Sequence, residues 1–148
     1  MKKSIFIILI ITGAILSCTQ QKEVKSQNEG AWQVISWQII AGDTLNAILG
    51  KTFTGTEIKI WSETCFNFVG LYKLDTAAYD NYGGGTYKLD GTHYEESYLY
   101  FSEKSMVGTS QKLILEIKND TLIQTWPCDN NWQIDKSNYN IQKLVRKD

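Results

Sequence analysis

Six aromatic residues and one acidic residue between positions 66 and 126 could together recognise a small molecule. Aromatic side chains supply the apolar lining of a binding cavity, and one polar group fixes the orientation of an amphipathic ligand. The chain is rich in such residues, with five Trp and eight Tyr. The candidate ligand-binding residues are Phe66, Phe68, Tyr87, Tyr94, Glu96, Tyr98 and Trp126. The alternative is that these side chains fill a solid core, and the sequence leaves both interpretations open.

Catalytic chemistry has less support in the sequence. His93 is the only histidine of the chain, and no group of His, Cys and acidic residues has the spacing of a metal site. Ser, Asp and His form no nucleophile motif. The glycines Gly83, Gly84 and Gly85 lack the following helix and Lys-Ser/Thr pair of a phosphate loop, and this favours a flexible turn or a bulge. We therefore expect no catalytic residue, no metal and no cofactor, and we interpret His93 as a surface residue.

The N-terminal segment indicates export. Lys2 and Lys3 precede an apolar run at positions 5–16. This run is shorter than the about 20 residues of a spanning helix, so it predicts a signal-peptide core rather than a transmembrane anchor. The residues ILSC at 15–18 resemble the lipobox of bacterial lipoproteins, although Leu16 is larger than that pattern prefers.

This resemblance implies that the thiol of Cys18 carries lipid, such as palmitate, and becomes the new N-terminus after cleavage. Several acyl chains hold a protein on a membrane far more firmly than one chain. Thr19 follows the cysteine where an Asp would favour the inner membrane, and by analogy this favours the outer membrane. The predicted organisation is a signal peptide at 1–17, a polar tether at 18–29 and one folded domain at 30–148.

The charge of the exported chain excludes a nucleic-acid partner. Removing residues 1–17 takes away Lys2 and Lys3, which leaves 131 residues with 13 basic and 16 acidic side chains. A nucleic-acid-binding protein would carry clustered Lys and Arg, and no basic block follows the tether.

Most of the domain is predicted to form strands joined by short turns. Alternating apolar residues and β-branched or aromatic runs are separated by turn signals such as Asp90-Gly91 and Asn119-Asp120. The segment from Asp43 to Gly50 begins with a helix-capping residue and predicts a short helical turn. Eight antiparallel strands in chain order indicate an all-β, up-and-down barrel, with a two-sheet sandwich as the alternative. The predicted strands span 32–40, 56–61, 65–73, 86–89, 92–101, 112–118, 121–126 and 139–146.

Two resemblances support this barrel. Gly30-Ala31-Trp32 and the late Arg146 are similar to the Gly-x-Trp start and final arginine of lipocalins, which implies that Arg146 packs over the ring of Trp32. The blocks IKIW at 58–61, TCFNFV at 64–69, GGGTYKLDG at 83–91 and YE at 94–95 resemble a family of uncharacterised bacterial lipocalin-like domains. That family commonly has histidine where Cys65 stands, so no role of that histidine is carried over.

Cys65 and Cys128 are the two thiols that remain after lipidation of Cys18. Export favours a disulfide between them. The barrel topology argues against it, because Cys65 begins a strand at the closed end and Cys128 follows a strand at the open end. The sequence leaves both outcomes open.

The leading hypothesis is a lipid-anchored, lipocalin-like barrel of the cell envelope that binds a small apolar or amphipathic molecule. The second hypothesis is an interaction module with a filled barrel core, which docks another envelope protein through its surface. A small hydrolase or isomerase in the barrel mouth is the third and least favoured class.

Overall fold

The computed structural model describes residues 26–42, 44–47, 53–74 and 76–147. The predicted signal peptide, Cys18 and the start of the tether lie outside these residues. No helix among the described residues is long and apolar enough to cross a membrane. The described chain forms nine strands and one short 3-10 helix, Lys104–Met106. The strands are β1 (Gly30–Ala41), β2 (Thr44–Ala47), β3 (Phe53–Trp61), β4 (Cys65–Leu74), β5 (Ala77–Asp90), β6 (His93–Phe101), β7 (Ser110–Lys118), β8 (Thr121–Trp126) and β9 (Asn138–Arg146).

Eight of the strands close into an antiparallel barrel. The strands β3 to β9 pair in chain order, and β1 pairs with β3 on one side and with β9 on the other. The β1–β9 pairing runs from Trp32 opposite Arg146 to Ala41 opposite Asn138. The predicted all-β, up-and-down barrel is therefore confirmed. The ring of strands is complete within the described residues, so this part of the chain contains every strand that the barrel needs.

The predicted helical turn after β1 is wrong where the structure describes it. Thr44–Ala47 forms strand β2, which pairs antiparallel with the end of β1, from Gln38 to Ala41. Gly42 has a φ of 62°, a conformation that glycine adopts without steric cost, and it reverses the chain between the two strands. Once the chain has reversed, the backbone of residues 44–47 meets an unpaired edge of β1. Asp43 and residues 48–50 lie outside the described residues.

The three consecutive glycines lie inside a strand and do not form a turn, but the predicted bulge is present, because the pairing with β6 shifts between Gly84 and Gly85. Strand β5 pairs with β4 from Ala77 to Thr86, so it begins well before the predicted position 86. A Cβ atom on Gly83 would lie 2.6 Å from Phe68 Cζ. Glycine is therefore required there for close packing against an aromatic ring. Because glycine has no side chain, a run of glycines lacks the alternation of apolar and polar residues that predicts a strand.

A β-bulge changes the faces at the end of β6. Gly84 pairs with Tyr100 and Gly85 pairs with Tyr98, which leaves Leu99 as the extra residue. Tyr94, Glu96 and Tyr98 are buried, whereas Tyr100 is 51% exposed. In a regular strand the alternate residues 94, 96, 98 and 100 would all lie on one face. The bulge moves Tyr100 outward and lets Phe101 pack against the core in its place.

The closed end of the barrel is formed by the first and last residues of the ring. The guanidinium carbon of Arg146 lies 4.4 Å from the centre of the buried Trp32 ring. Arg146 also donates hydrogen bonds to the carbonyls of Gln27 and Glu29, and Trp32 Nε1 donates to the carbonyl of Asn28 at 2.8 Å. Residues 27–29, which the sequence placed in the tether, therefore pack on the closed end.

Candidate functional site

A cavity of about 310 Å³ opens at the end of the barrel opposite Trp32 and Arg146. It lies above the apolar core. All eight barrel strands contribute side chains to its described walls. Strands β3, β5 and β9 contribute only polar side chains, and the apolar part of the wall comes from β1, β4, β6, β7, β8 and the 3-10 helix. The lining residues are Trp37, Glu57, Lys59, Phe68, Asn81, Glu96, Tyr98, Phe101, Glu103, Met106, Gln111, Leu113, Gln124, Trp126 and Gln142.

Aromatic rings form two groups on the cavity wall. The ring centres of Trp37 and Trp126 are 5.9 Å apart. The ring of Phe101 lies 5.3 Å from Phe68 and 5.0 Å from Tyr98, in edge-to-face arrangements. These distances and angles are favourable for aromatic pairs. The cavity therefore offers the rigid apolar surface that an apolar ligand requires.

A buried ion pair lies at the centre of the barrel. Lys59 Nζ contacts Glu96 Oε1, and the two side chains are only 6% and 2% exposed. Lys59 Nζ also donates to Gln124 Oε1 at 3.3 Å. The β3 pleat turns Glu57, Lys59 and Trp61 into the barrel, whereas Ile60 between them is exposed on the outside. The charged face of this strand is thus the inner face.

Aromatic rings hold the ammonium group of Lys59 in place. Lys59 Nζ lies 5.0 Å from the ring centres of Trp61 and Phe66, and 5.8 Å from those of Phe68 and Tyr94. A cation within about 6 Å of a ring is attracted by the negative face of the π system. The rings partly replace the water that the ammonium loses on burial.

Glu57 is a second buried carboxyl group in the cavity wall. Its Oε2 accepts hydrogen bonds from the hydroxyl of Tyr72 at 2.9 Å and from Asn81 Nδ2 at 2.6 Å, and its Oε1 accepts from Gln142 Nε2 at 3.1 Å. Burial raises the pKa of Glu57 above its ordinary value, and the charge of Lys59 and the three hydrogen bonds offset this effect in part. Burial and the neighbouring carboxylate also raise the pKa of Tyr72, so its hydroxyl remains a donor.

The raised pKa of Glu57 predicts a measurable dependence of stability on pH. A carboxyl whose pKa is higher in the folded than in the unfolded state contributes stability that is complete below the unfolded pKa. That contribution is lost as the pH rises through the folded pKa. The free energy of unfolding of Glu57→Gln should therefore fall less steeply than that of the wild type above the unfolded pKa, by at most about 1.4 kcal/mol per pH unit. Urea unfolding at a series of pH values measures this, and equal slopes in both proteins would contradict it.

Tyr98 links the ion pair to the aromatic wall. Its hydroxyl donates to Glu96 Oε2 at 2.8 Å, while its ring packs against Phe66 and Phe101. Burial and the charge of Glu96 raise the pKa of Tyr98. The hydroxyl therefore stays protonated and donates to the carboxylate.

The amide of Gln124 has an unused donor at this site. Gln124 is 1% exposed, and its Nε2 has no hydrogen-bond partner among the described residues. Its Oε1 faces Lys59 Nζ, and an ammonium only donates, so this contact fixes which end of the amide is oxygen. A buried amide nitrogen without an acceptor costs about 1–3 kcal/mol. An acceptor oxygen in the cavity would remove that cost.

The structure brings four of the seven predicted ligand-binding residues to the cavity. Phe68, Glu96, Tyr98 and Trp126 line it. The other three lie elsewhere in the barrel. Phe66 and Tyr94 are buried in the core, where the hydroxyl of Tyr94 accepts from Trp61 Nε1 at 2.7 Å, and the hydroxyl of Tyr87 donates to the carbonyl of Ser62 at 2.7 Å.

The remaining chemistry-bearing residues lie outside the cavity. Cys65 and Cys128 are both free thiols, so no disulfide joins them. The His93 ring stacks on Trp132, with ring centres 4.5 Å apart. No group of three or more His, Cys, Asp or Glu side chains in the described part of the chain could hold a metal ion.

Apart from Glu96, the buried polar residues of the site were not found by sequence reasoning. Glu57, Lys59, Gln124 and Gln142 are all buried, and each lies next to an isoleucine in its strand. The alternation of TEIKIW at 56–61 did contain a signal, because the polar residues Glu57 and Lys59 are in phase with Trp61. A large aromatic residue favours the buried face, so its phase could have indicated that this strand turns its charges inward.

Comparison with known proteins gives no relative for this chain: no protein-family model matches it, and no curated protein matches it.

Proposed function

We propose that this chain is a membrane-anchored lipoprotein that binds a small apolar or amphipathic ligand in its barrel cavity. The observation that carries the proposal is the cavity of about 310 Å³, in which aromatic rings stand beside buried polar groups. Small-molecule sites have volumes of about 300–1,000 Å³, so this one suits a small ligand. Its role would be binding, sequestration or handover of that ligand in the cell envelope.

Ligand binding is tested by titration calorimetry with 1-octanol on the chain from Thr19 onward, which contains every described residue. Met106 lines the cavity, whereas its neighbour Val107 is 46% exposed and lies outside it. Met106→Trp should fill part of the cavity and weaken binding at least about tenfold, the equivalent of about 1.4 kcal/mol. Val107→Trp is the matched control and should bind like the wild type. Absence of saturable binding, or an equal loss in both variants, would contradict the proposal.

The membrane anchor is tested separately at Cys18. Cells expressing the full chain should incorporate labelled palmitate into the protein and hold it in the membrane fraction. Cys18→Ser should remove the label and release the protein, because the thiol is the acyl acceptor. Retention of the label in Cys18→Ser would exclude lipidation at this residue. The outer membrane is the compartment that Thr19 favours, and fractionation of the envelope tests it.

One observation favours the alternative of an envelope interaction module. A row of side chains crosses the outer face of three strands, where Ile58 pairs with Val69 and Val69 pairs with Tyr82. Val69 is 61% exposed, and Leu71 lies two residues along the same face. Exposed apolar patches are typical of interaction surfaces. The alternative required a filled barrel core, however, and the cavity does not match that requirement. Crosslinking in intact cells, with Val69→Lys as the variant, tests whether this face binds a protein.

Glu57 has the property expected of a general acid or base, namely a raised pKa beside a cavity. Three neighbouring side chains already donate to its two oxygens. These hydrogen bonds occupy much of its acceptor capacity, so we favour a role in binding and structure over catalysis.

A further inference from the structure

The charges that line the cavity are unequal in number. Among the described lining residues the carboxylates are Glu57, Glu96 and Glu103, whereas the ammonium of Lys59 is the single positive group. That ammonium is already paired with Glu96 and donates to Gln124 Oε1. The described part of the cavity wall therefore offers no free positive charge with which to compensate an anionic ligand.

An anionic head group would be unfavourable in this environment. It would have to lose its water near Glu57 and Glu96, which are both almost completely buried. Burying a charge without a partner costs several kcal/mol. The geometry thus disfavours a carboxylate or a phosphate at the inner end of a ligand.

A cationic head group meets a different obstacle. The described groups beside the centre of the cavity include the ammonium of Lys59 and the Nε2 donor of Gln124. The ammonium repels a cation, and the amide nitrogen of Gln124 is a donor that cannot accept a hydrogen bond from one. The oxygens of Glu57 are occupied by Tyr72, Asn81 and Gln142, and those of Glu96 by Lys59 and Tyr98. Glu103 is exposed to water and accepts from the amide and hydroxyl of Ser105.

We propose that the inner end of the ligand is an uncharged hydrogen-bond acceptor, a carbonyl or hydroxyl oxygen, which accepts from Gln124 Nε2. This inference rests on the proposed function and specifies the ligand class of that same site. The apolar part of the ligand then lies against the rings of Trp37, Phe101 and Trp126. Amides, esters and alcohols with a short apolar chain have this chemistry.

The test compares four probes with the same eight-carbon chain: octanamide, 1-octanol, octanoate and octylamine. Titration calorimetry at pH 7.5 uses the chain from Thr19 onward, with circular dichroism as the check of folding. Octanamide and 1-octanol should bind at least about tenfold more tightly than octanoate and octylamine, since about 1.4 kcal/mol corresponds to tenfold and burying a charge costs more.

Gln124→Met tests the donor itself, because methionine has a similar volume and no N–H group. Loss of one hydrogen bond should weaken octanamide binding by about three- to tenfold and leave octylamine unchanged, because a protonated amine cannot accept from Gln124 Nε2. Gln33→Met is the matched control, because Gln33 lies on the outer face, where its amide donates to Thr56 Oγ1 at 3.2 Å.

Each outcome decides between the two proposals. Equal or tighter binding of octanoate or octylamine would overturn this inference while ligand binding stands, as would unchanged octanamide binding in Gln124→Met. Absence of binding by all four probes would overturn both the inference and the proposed function. If Gln124→Met fails to fold, the order of affinities in the wild-type chain still decides.

Discussion

Lys59→Met is expected to lower the free energy of unfolding by about 3–5 kcal/mol at neutral pH. Lys59 is the ammonium partner of the buried Glu96, and both side chains are nearly inaccessible to water. Removing one partner of such a pair leaves the other as a buried charge without compensation. The substitution also removes the positive charge that stabilises the ionised form of Glu57. Urea unfolding followed by circular dichroism measures the change.

Two comparisons separate charge from packing in this result. The double variant Lys59→Met/Glu96→Gln should recover much of the loss, because a neutral amide replaces the unpaired carboxylate. Acidification should narrow the difference in unfolding free energy between Lys59→Met and the wild type, because protonation neutralises Glu57, whose pKa burial raises. Lys88→Met, at an exposed position of β5, is the control and should change stability by less than about 0.5 kcal/mol. A Lys59→Met protein as stable as the wild type would exclude the ion pair as a determinant of stability.

Gly85→Ala is expected to destabilise the barrel by about 3 kcal/mol. A Cβ atom at this position would overlap the carbonyl oxygen of Ser97 and would lie 3.0 Å from the amide nitrogen of Leu99. Both neighbours are backbone atoms of the adjacent strand, at the bulge that sets the faces of β6. A side chain could turn away, but this backbone moves only if the pairing of the two strands changes.

Gly91→Ala provides the control for the general effect of replacing glycine. A Cβ at Gly91 would have no neighbour within 4 Å, and its φ of 59° alone should cost about 1–2 kcal/mol. Gly85→Ala should therefore be the more destabilising of the two in thermal and urea unfolding. If the two variants lose equal stability, the close approach of β5 and β6 is not the reason that position 85 requires glycine. A fluorescence shift of the cavity tryptophans in Gly85→Ala would show that the bulge also shapes the site.

Local patterns in the sequence predicted the antiparallel strands, and the pairing of β1 with β9 decided between the barrel and the sandwich. Turn signals such as Asn119-Asp120 correspond to residues with φ of 47° and 60°, which Asn and Asp tolerate because their side chains can bond to the local backbone. A short turn between two alternating runs makes the strands antiparallel neighbours, and such neighbours in chain order can form an up-and-down barrel. The packing of Arg146 on Trp32 was implied by the resemblance of residues 30–32 and Arg146 to the start and the final arginine of lipocalins, and the structure has this contact.

The tertiary structure alone decided which polar groups are buried together. The hydrogen bonds of Lys59 connect it to residues 37 and 65 positions away, and Gln142 bonds to Glu57 across 85 positions. An isolated strand with alternating Ile and charged residues is most simply interpreted as having its charges in water. This face becomes the inner one because other strands supply its ion pair and hydrogen-bond donors, together with the rings around Lys59. Burial of a charge depends on partners that come together only when the ring closes, so no local pattern determines it.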